Sequence, residues 1–450
     1  MGKWEESQDG DFRASFARGL DEFEAMVRIA PDDPTGYEGR ATARLNLAEI
    51  LFHRDEAADD LLAQGIADLD EALARGASRL PTQARLGKAH ARRADVFQEG
   101  GRDPVLELRA SIAAFDEAIR IAPDNASNRA LRGQQRAALA TVLALRQEDV
   151  RDLARGAIED LGAAIQADPE DSSSRFRRAV TGVVLGIQEL ERGEAADASL
   201  CAAIEDFGEL VRRDPDDVES RVRYAEALRR YGSIRIGAGK DGTQLLIDAV
   251  AQLDEAIQRV PSNAPLLMTR SGTLHSVAWL KANAGVDPGD LFERALADAK
   301  EAVRLVPDVP TAHAILGDAL SGPAKAAWLR GEVDREACLG AIEAYDRALA
   351  LDPSLLDPIV YRGTVCEMLG DDDGAAKAFE RALAIEPGHD VARAHLARAR
   401  ERLAAAGEPA GGLDGLRGTH AVAEGSYLGA RRPLERAIEG AGTEAPVPAL

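Results

Sequence analysis

One 15-residue phrase returns along this chain at a constant interval, and that interval leaves few folds open. It reads SIAAFDEAIRIAPDN from Ser111, AIEDLGAAIQADPED from Ala157, AIEDFGELVRRDPDD from Ala203, AVAQLDEAIQRVPSN from Ala249 and AIEAYDRALALDPSL from Ala341. The closing prolines Pro123, Pro169, Pro215, Pro261, Pro307 and Pro353 stand 46 residues apart, and Pro31 lies two periods before Pro123. At the skipped place Ala77 replaces the proline, while IADLDEALARGA keeps the phrase. The last interval, to Pro387, is 34 residues. A fixed period of this length is the mark of a repeat array, in which each unit buries its apolar face against its neighbours.

Three further columns keep the same step. Ten residues after each proline position stand the small residues Ala41, Gly87, Gly133, Ala179, Ala225, Ser271, Gly317 and Gly363. Small side chains at one place let two helices approach closely, so this column predicts a helix crossing. Gly101, Gly193, Gly239, Gly285 and Gly331 share a second offset, where a left-handed cap would end a helix. Two residues on, Asp103, Asp149, Asp241 and Asp287 are expected N-caps, with Pro104 and Pro288 at the first helical position. Apolar residues then fall at helical spacing, as in Ile112, Phe115, Ala118 and Ile119. Each unit reads as helix A, tight turn, helix B and a second turn closed by proline. The expected fold class is all-α.

The last unit, LLDPIVYRGTVCEMLGDDDGAAKAFERALAIEPGH, resembles a tetratricopeptide repeat, with Gly363, Ala375, Phe379, Ala382 and Pro387 at that family's signature positions. Eight registered copies extend the resemblance over residues 11–387. It implies a right-handed superhelical solenoid of antiparallel helix pairs. The 46-residue units depart from the family by twelve extra residues between the small column and the phrase. Both helices are expected to lengthen by about six residues, which widens the ribbon by roughly 9 Å at 1.5 Å per residue.

The resulting map has an N-terminal segment 1–10 and an array 11–387. The array comprises a lone helix B over 11–30, seven 46-residue repeats and the final 34-residue repeat. A polar capping helix follows over 388–407, and a Gly-, Ala- and Pro-rich tail, largely disordered with a short helix near PLERAIEG, over 408–450. Phe12, Phe16, Leu20 and Phe23 share one face of the first helix, which too few residues precede to supply a helix A. Two readings stand: a helix that tolerates some exposure or folds its own N-terminus back with Trp4 as a plug, or a docking face at Phe12, Phe16 and Leu20 for another chain or domain.

Composition narrows the function. The formal net charge is −22, which opposes nucleic acid and anionic membranes as partners and leaves basic peptides or proteins compatible. No run approaches the roughly 18 apolar residues of a membrane helix, and MGKWEESQDG has no secretory core, so a cytoplasmic location is expected. Cys201, Cys338 and Cys366 are far apart and odd in number, as thiols in a reducing compartment are. Arg outnumbers Lys 48 to 7, which fits a high-GC bacterial genome. GAGKDGT from Gly237 lacks the residues of a phosphate loop, and GDDDG from Gly370 lacks the bidentate Glu of a calcium loop. The seven histidines form no HExxH or His-x3-His pair. No catalytic residue, cofactor or metal ligand is expected.

The resemblance implies peptide or partner-helix binding in a concave groove lined by helix A. A subgroup that clamps a terminal carboxylate with Lys and Asn is not matched by Glu38/Thr42, Ala84/Lys88, Ala130/Gln134, Phe176/Val180 or Val222/Glu226. The groove positions map to Ser173, Phe176, Val180 and Val183, on an apolar helix A that either packs internally or anchors a partner. The expected function is a non-enzymatic protein–protein interaction scaffold. The alternative is a regulatory module of a bacterial signalling system, such as a serine/threonine kinase pathway, docking through its N-terminal end.

Overall fold

The computed structural model describes residues 2–54 and 56–407, with side chains from residue 12 to residue 405 apart from residue 55. Among these residues there are eighteen helices and no strand. Odd-numbered helices correspond to helix B and even-numbered ones to helix A. They begin with α1 (Gly2–Ile29), α2 (Pro34–Phe52), α3 (Asp59–Ala74), α4 (Arg79–Glu99), α5 (Val105–Ile121), α6 (Ala126–Leu145), α7 (Arg151–Ala167), α8 (Ser172–Glu191) and α9 (Asp197–Arg213). They continue with α10 (Val218–Gly237), α11 (Thr243–Arg259), α12 (Ala264–Asn283), α13 (Leu291–Leu305), α14 (Pro310–Leu329), α15 (Arg335–Leu351), α16 (Leu356–Leu369), α17 (Asp372–Ile385) and α18 (Asp390–Gly407). The tail from Glu408, with its expected short helix, and the side chain of Trp4 lie outside the described residues.

The chain divides into two compact units, Met1–Asp206 and Phe207–Leu450. In the first, helices pack on their neighbours in sequence, and α2, α4, α6 and α8 also touch one another in turn. In the second the same order holds, with α12, α14, α16 and α18 in serial contact. Contact between sequence neighbours and next-but-one helices is what a stack of antiparallel hairpins requires.

The twelve extra residues divide differently from the expected six and six. Helix A grows from the 14 residues of α16 to 20 in α6, α8, α10, α12 and α14. Helix B grows only from the 14 of α17 to 17 in α5, α7, α11 and α15. The remaining three lengthen the A–B turn. That turn carries left-handed residues as expected: Gly101, Gly193, Gly239, Gly285 and Gly331 all have positive φ. At the same offset Gln147 has φ +61°, the one non-glycine of positive φ among the described residues. The aspartates two places on do not cap helix B directly. Asp103, Asp149 and Asp241 accept from the backbone N–H two residues ahead, closing a turn before the helix begins. Pro104 accordingly sits at the N-cap of α5 and Pro288 lies outside α13. Five A helices receive side-chain caps, from Asp33, Asn125, Asp171, Asp217 and Asn263, and among the B helices Asp334 caps α15 and Asp371 caps α17.

The small column marks the A–B crossing. A Cβ added at Gly87 would fall 2.7 Å from the Phe115 ring, and one at Gly317 would fall 2.5 Å from Tyr345. Both ring partners lie 28 residues on and are fully buried. One position before them runs a column of aspartates paired with the arginines that precede the small column. Arg40–Asp68, Arg132–Asp160, Arg178–Asp206 and Arg270–Asp298 are the four such ion pairs. The arginines therefore join helix A to helix B within a hairpin.

Candidate functional site

The positions read from the sequence separate into two places. On α8, Ser173 is exposed, while Phe176, Val180 and Val183 are half-buried. The core of this helix is taken by other residues. Leu185 is buried in a cluster with Leu139, Leu143 and Ala154, and Gly186 lies against Leu200. On α1, which runs on from Gly2 through the segment before residue 11, Phe12, Phe16 and Leu20 are also half-buried. Phe12 meets Phe16 edge-on at 6.3 Å, and the Arg54 guanidinium lies 4.8 Å from the Phe12 ring centre. Further along α1 the face is closed by α2. Phe23 lies so close to Gly39 that a Cβ there would fall 2.1 Å from the ring, and Val27 packs on Tyr37.

A third place, absent from the sequence reading, has more chemistry. Three successive A helices of the second unit enclose a half-open recess of about 140 Å³. Gly272, His275 and Trp279 come from α12, Asp318 and Lys325 from α14, and Tyr361 from α16. A Cβ at Gly272 would meet nothing within 4 Å, so the α12 wall is open at that point. Pro323 lies inside α14 between the two charged residues. It has no N–H, and so it leaves the Ala319 carbonyl without its intrahelical donor.

The charged groups are held in unusual states. The Tyr345 hydroxyl donates to Asp318 Oδ1 at 2.7 Å. Burial nevertheless pushes the Asp318 carboxyl up to about 6, against the Lys325 cation and the Tyr345 hydrogen bond, which favour the anion. Burial lowers Lys325 in turn, partly offset by Asp318. The Lys325 ammonium stands 5.2 Å from the Tyr361 ring centre. Burial, assisted by Lys325, pushes His275 down to about 3, so its ring is neutral at physiological pH. His275 Nδ1 is buried with no hydrogen-bond partner and faces Gly322, where an added Cβ would approach it to 2.9 Å. An unpaired lone pair there costs less than an unpaired N–H, which places the ring proton on Nε2.

A signal for the recess existed in the sequence. Gly272 and Asp318 occupy the position directly after the small column, as Val180 does in α8. Trp279 and Lys325 share an offset seven residues later. The pairs Met268/Gly272, Ala314/Asp318 and Val360/Thr364 extend the clamp positions into the last three units, and Asp318 is the acidic member there. Only contact between helices more than 40 residues apart brings these residues together.

No protein-family profile and no curated protein matches the chain. Solved structures do align with it. A tetratricopeptide repeat protein from Parabacteroides merdae ATCC 43184 aligns at 14% identity and TM-score 0.42, over 70% of this chain and 98% of that one. TTC0263, a thermophilic TPR protein of Thermus thermophilus, aligns at 20% identity and TM-score 0.35, over 50% and 99%. YrrB, described as a TPR protein with an unusual peptide-binding site, aligns at 15% identity and TM-score 0.34, over 53% and 97%. Scores this low carry no argument of their own, so the repeat-array fold stands on the hairpins, the 46-residue register and the A–B crossing at the small column. The chain is an all-α array of antiparallel helix hairpins, lengthened mainly in helix A, and it is similar to solved tetratricopeptide repeat proteins.

Proposed function

We propose that this protein is a binding scaffold and not an enzyme, holding a segment of a protein partner against its A helices. The observation that carries this reading is the recess of α12, α14 and α16. Asp318 and Lys325 are kept there at a cost in desolvation, beside Trp279 and Tyr361. Keeping charges in such surroundings weakens a fold, and perturbed groups in a cleft concentrate where ligands bind. Phe176, Val180 and Val183, with Ser173 at their edge, form a second contact area on the same kind of helix, suited to apolar side chains of a partner. The chain's charge of −22 favours partners with a basic surface. A cytoplasmic, bacterial setting fits the composition.

A second reading rests on the Phe12–Phe16 pair, two half-buried rings with Arg13 and Arg54 over the first of them. On that reading the N-terminal end docks a signalling domain. Affinity capture from source cells tests both, comparing wild type with Phe176→Asp/Val180→Asp, Gly272→Leu and Phe12→Ser/Phe16→Ser. Loss of one specific protein in the first or second variant supports the scaffold. Loss only in the third supports docking by α1, and capture unchanged in all three refutes both surfaces.

A further inference from the structure

We propose that the recess between α12, α14 and α16 receives the uncharged, planar carboxamide of a partner's Asn or Gln side chain. This rests on reading the recess as a partner-binding site. A ligand with a single positive charge would be drawn to Asp318 but repelled by Lys325, and a ligand with a single negative charge would meet the reverse. A carboxamide presents an acceptor and a donor side by side. Its oxygen accepts from the Lys325 ammonium or from His275 Nε2–H, and its NH2 group donates to the Asp318 carboxylate. Tyr345 uses one lone pair of that carboxylate, and a carboxylate has about four. Hydrogen bonds to charged partners are the stronger kind, and they form here without burying a third net charge. Trp279 and Tyr361 supply flat walls for a planar group. About 140 Å³ is of the size that accepts one side chain or one small ring, about the volume of a known 150 Å³ cavity that binds benzene. The absence of a side chain at Gly272 leaves the way in open.

Three isosteric probes test this on the full-length chain: benzamide, benzoate and benzamidinium, titrated by calorimetry with tryptophan fluorescence as a second signal. Benzamide is expected to bind at least 10-fold tighter than either ion. A short acetylated peptide carrying Gln should compete with it, whereas the same peptide with Glu or Lys should not. Gly272→Leu should abolish binding while leaving the thermal melt unchanged or raised, because its Cβ enters open space and leucine favours helix over glycine. Lys325→Met and Asp318→Asn should each weaken benzamide at least 10-fold, which keeps the test valid if one variant fails to fold. Equal or tighter binding of either ion would overturn the carboxamide assignment and leave the recess as a binding site. Failure of the Gln peptide to compete would overturn the protein source. Binding of none of the probes would overturn both the assignment and the recess.

Discussion

Arg270 and Asp298 face each other as two parallel forks, with Nε donating to Oδ2 and Nη2 to Oδ1, both at 2.7 Å. The same atoms pair in Arg132–Asp160 and in Arg178–Asp206, always 28 residues apart. Where helix A lacks the arginine, helix B lacks the aspartate: Leu86 stands opposite Ala114, and Leu316 is matched by Ala344. In these two hairpins the pair is thus exchanged as a unit for an apolar couple, as the energetics of half-buried ion pairs lead one to expect, while Tyr224 and Gln252 stand at the same places in α10 and α11.

Breaking this pair should therefore cost more than removing it. Asp298→Ala leaves the Arg270 guanidinium, only 18% exposed, with Asp254 at 2.7 Å as its remaining carboxylate partner, and is expected to destabilise the α12–α13 hairpin by about 1–3 kcal/mol. Adding Arg270→Leu should restore at least half of that. Native-state hydrogen exchange across residues 264–305 measures both, and additive losses in the double variant would refute the exchange argument.

Asp318 and His275 should oppose each other in the stability–pH profile. Asp318 has its folded pKa raised to about 6, so the folded state holds its proton longer than the unfolded chain does. Its stabilising contribution is present below about pH 4 and is lost as pH rises through 6. His275, lowered to about 3, works in the other direction: its contribution is present above about pH 6.5 and is lost as pH falls. Lys325, Tyr345 and Asp357 also face Asp318 and set its starting value. Asp318→Asn should make stability rise more steeply between pH 4 and 6, by about 2 kcal/mol over the window. A urea midpoint series at fixed pH steps reads this, and an unchanged slope would contradict the burial of the carboxyl.

Gln147 occupies the left-handed position that glycine holds in five other turns. Gln147→Gly should stabilise the α6–α7 hairpin by about 1 kcal/mol, because a side chain in that conformation is strained. Thermal unfolding with a lowered midpoint would show that the Gln side chain offsets its own strain.

The final helix is held by charge as well as by packing. His395 Nδ1 lies 2.5 Å from Glu367 Oε2, and Arg402 donates to both Glu367 and Asp372 at 2.6 Å. Burial raises the Glu367 carboxyl, but His395 and Arg402 outweigh it and hold the group below its ordinary value. That contribution is present above pH 4.5 and is lost as pH falls further. Glu367→Ala should loosen α18 by about 2–3 kcal/mol, seen as faster hydrogen exchange over residues 390–405 with residues 264–305 unaffected. Equal acceleration in both stretches would mean that the effect is not local.

Periodicity made the fold legible and hid the site. Features that recur down the array, such as the small column in every unit and the glycine turn in five of them, gain weight with each copy. The split of the twelve extra residues was not legible, because a period constrains only the sum of helix and turn lengths. Asp103 and Asp149 were misplaced as N-caps because a carboxylate two residues before a helix serves a turn equally well. The recess escaped notice for the opposite reason: Asp318, Lys325, His275 and Trp279 are departures from the repeat, each occurring once. The apolar α8 stood out instead because its unusual residues are contiguous.

Site-specific photo-crosslinking in source cells tests the central claim most directly, with the reactive group placed at Gly272 or Val180 on helix A, or at the exposed Ala251 on helix B. The account predicts one discrete protein adduct from Gly272, an adduct of the same partner from Val180, and none from Ala251. Adducts from Ala251 with none from either helix A position would contradict it.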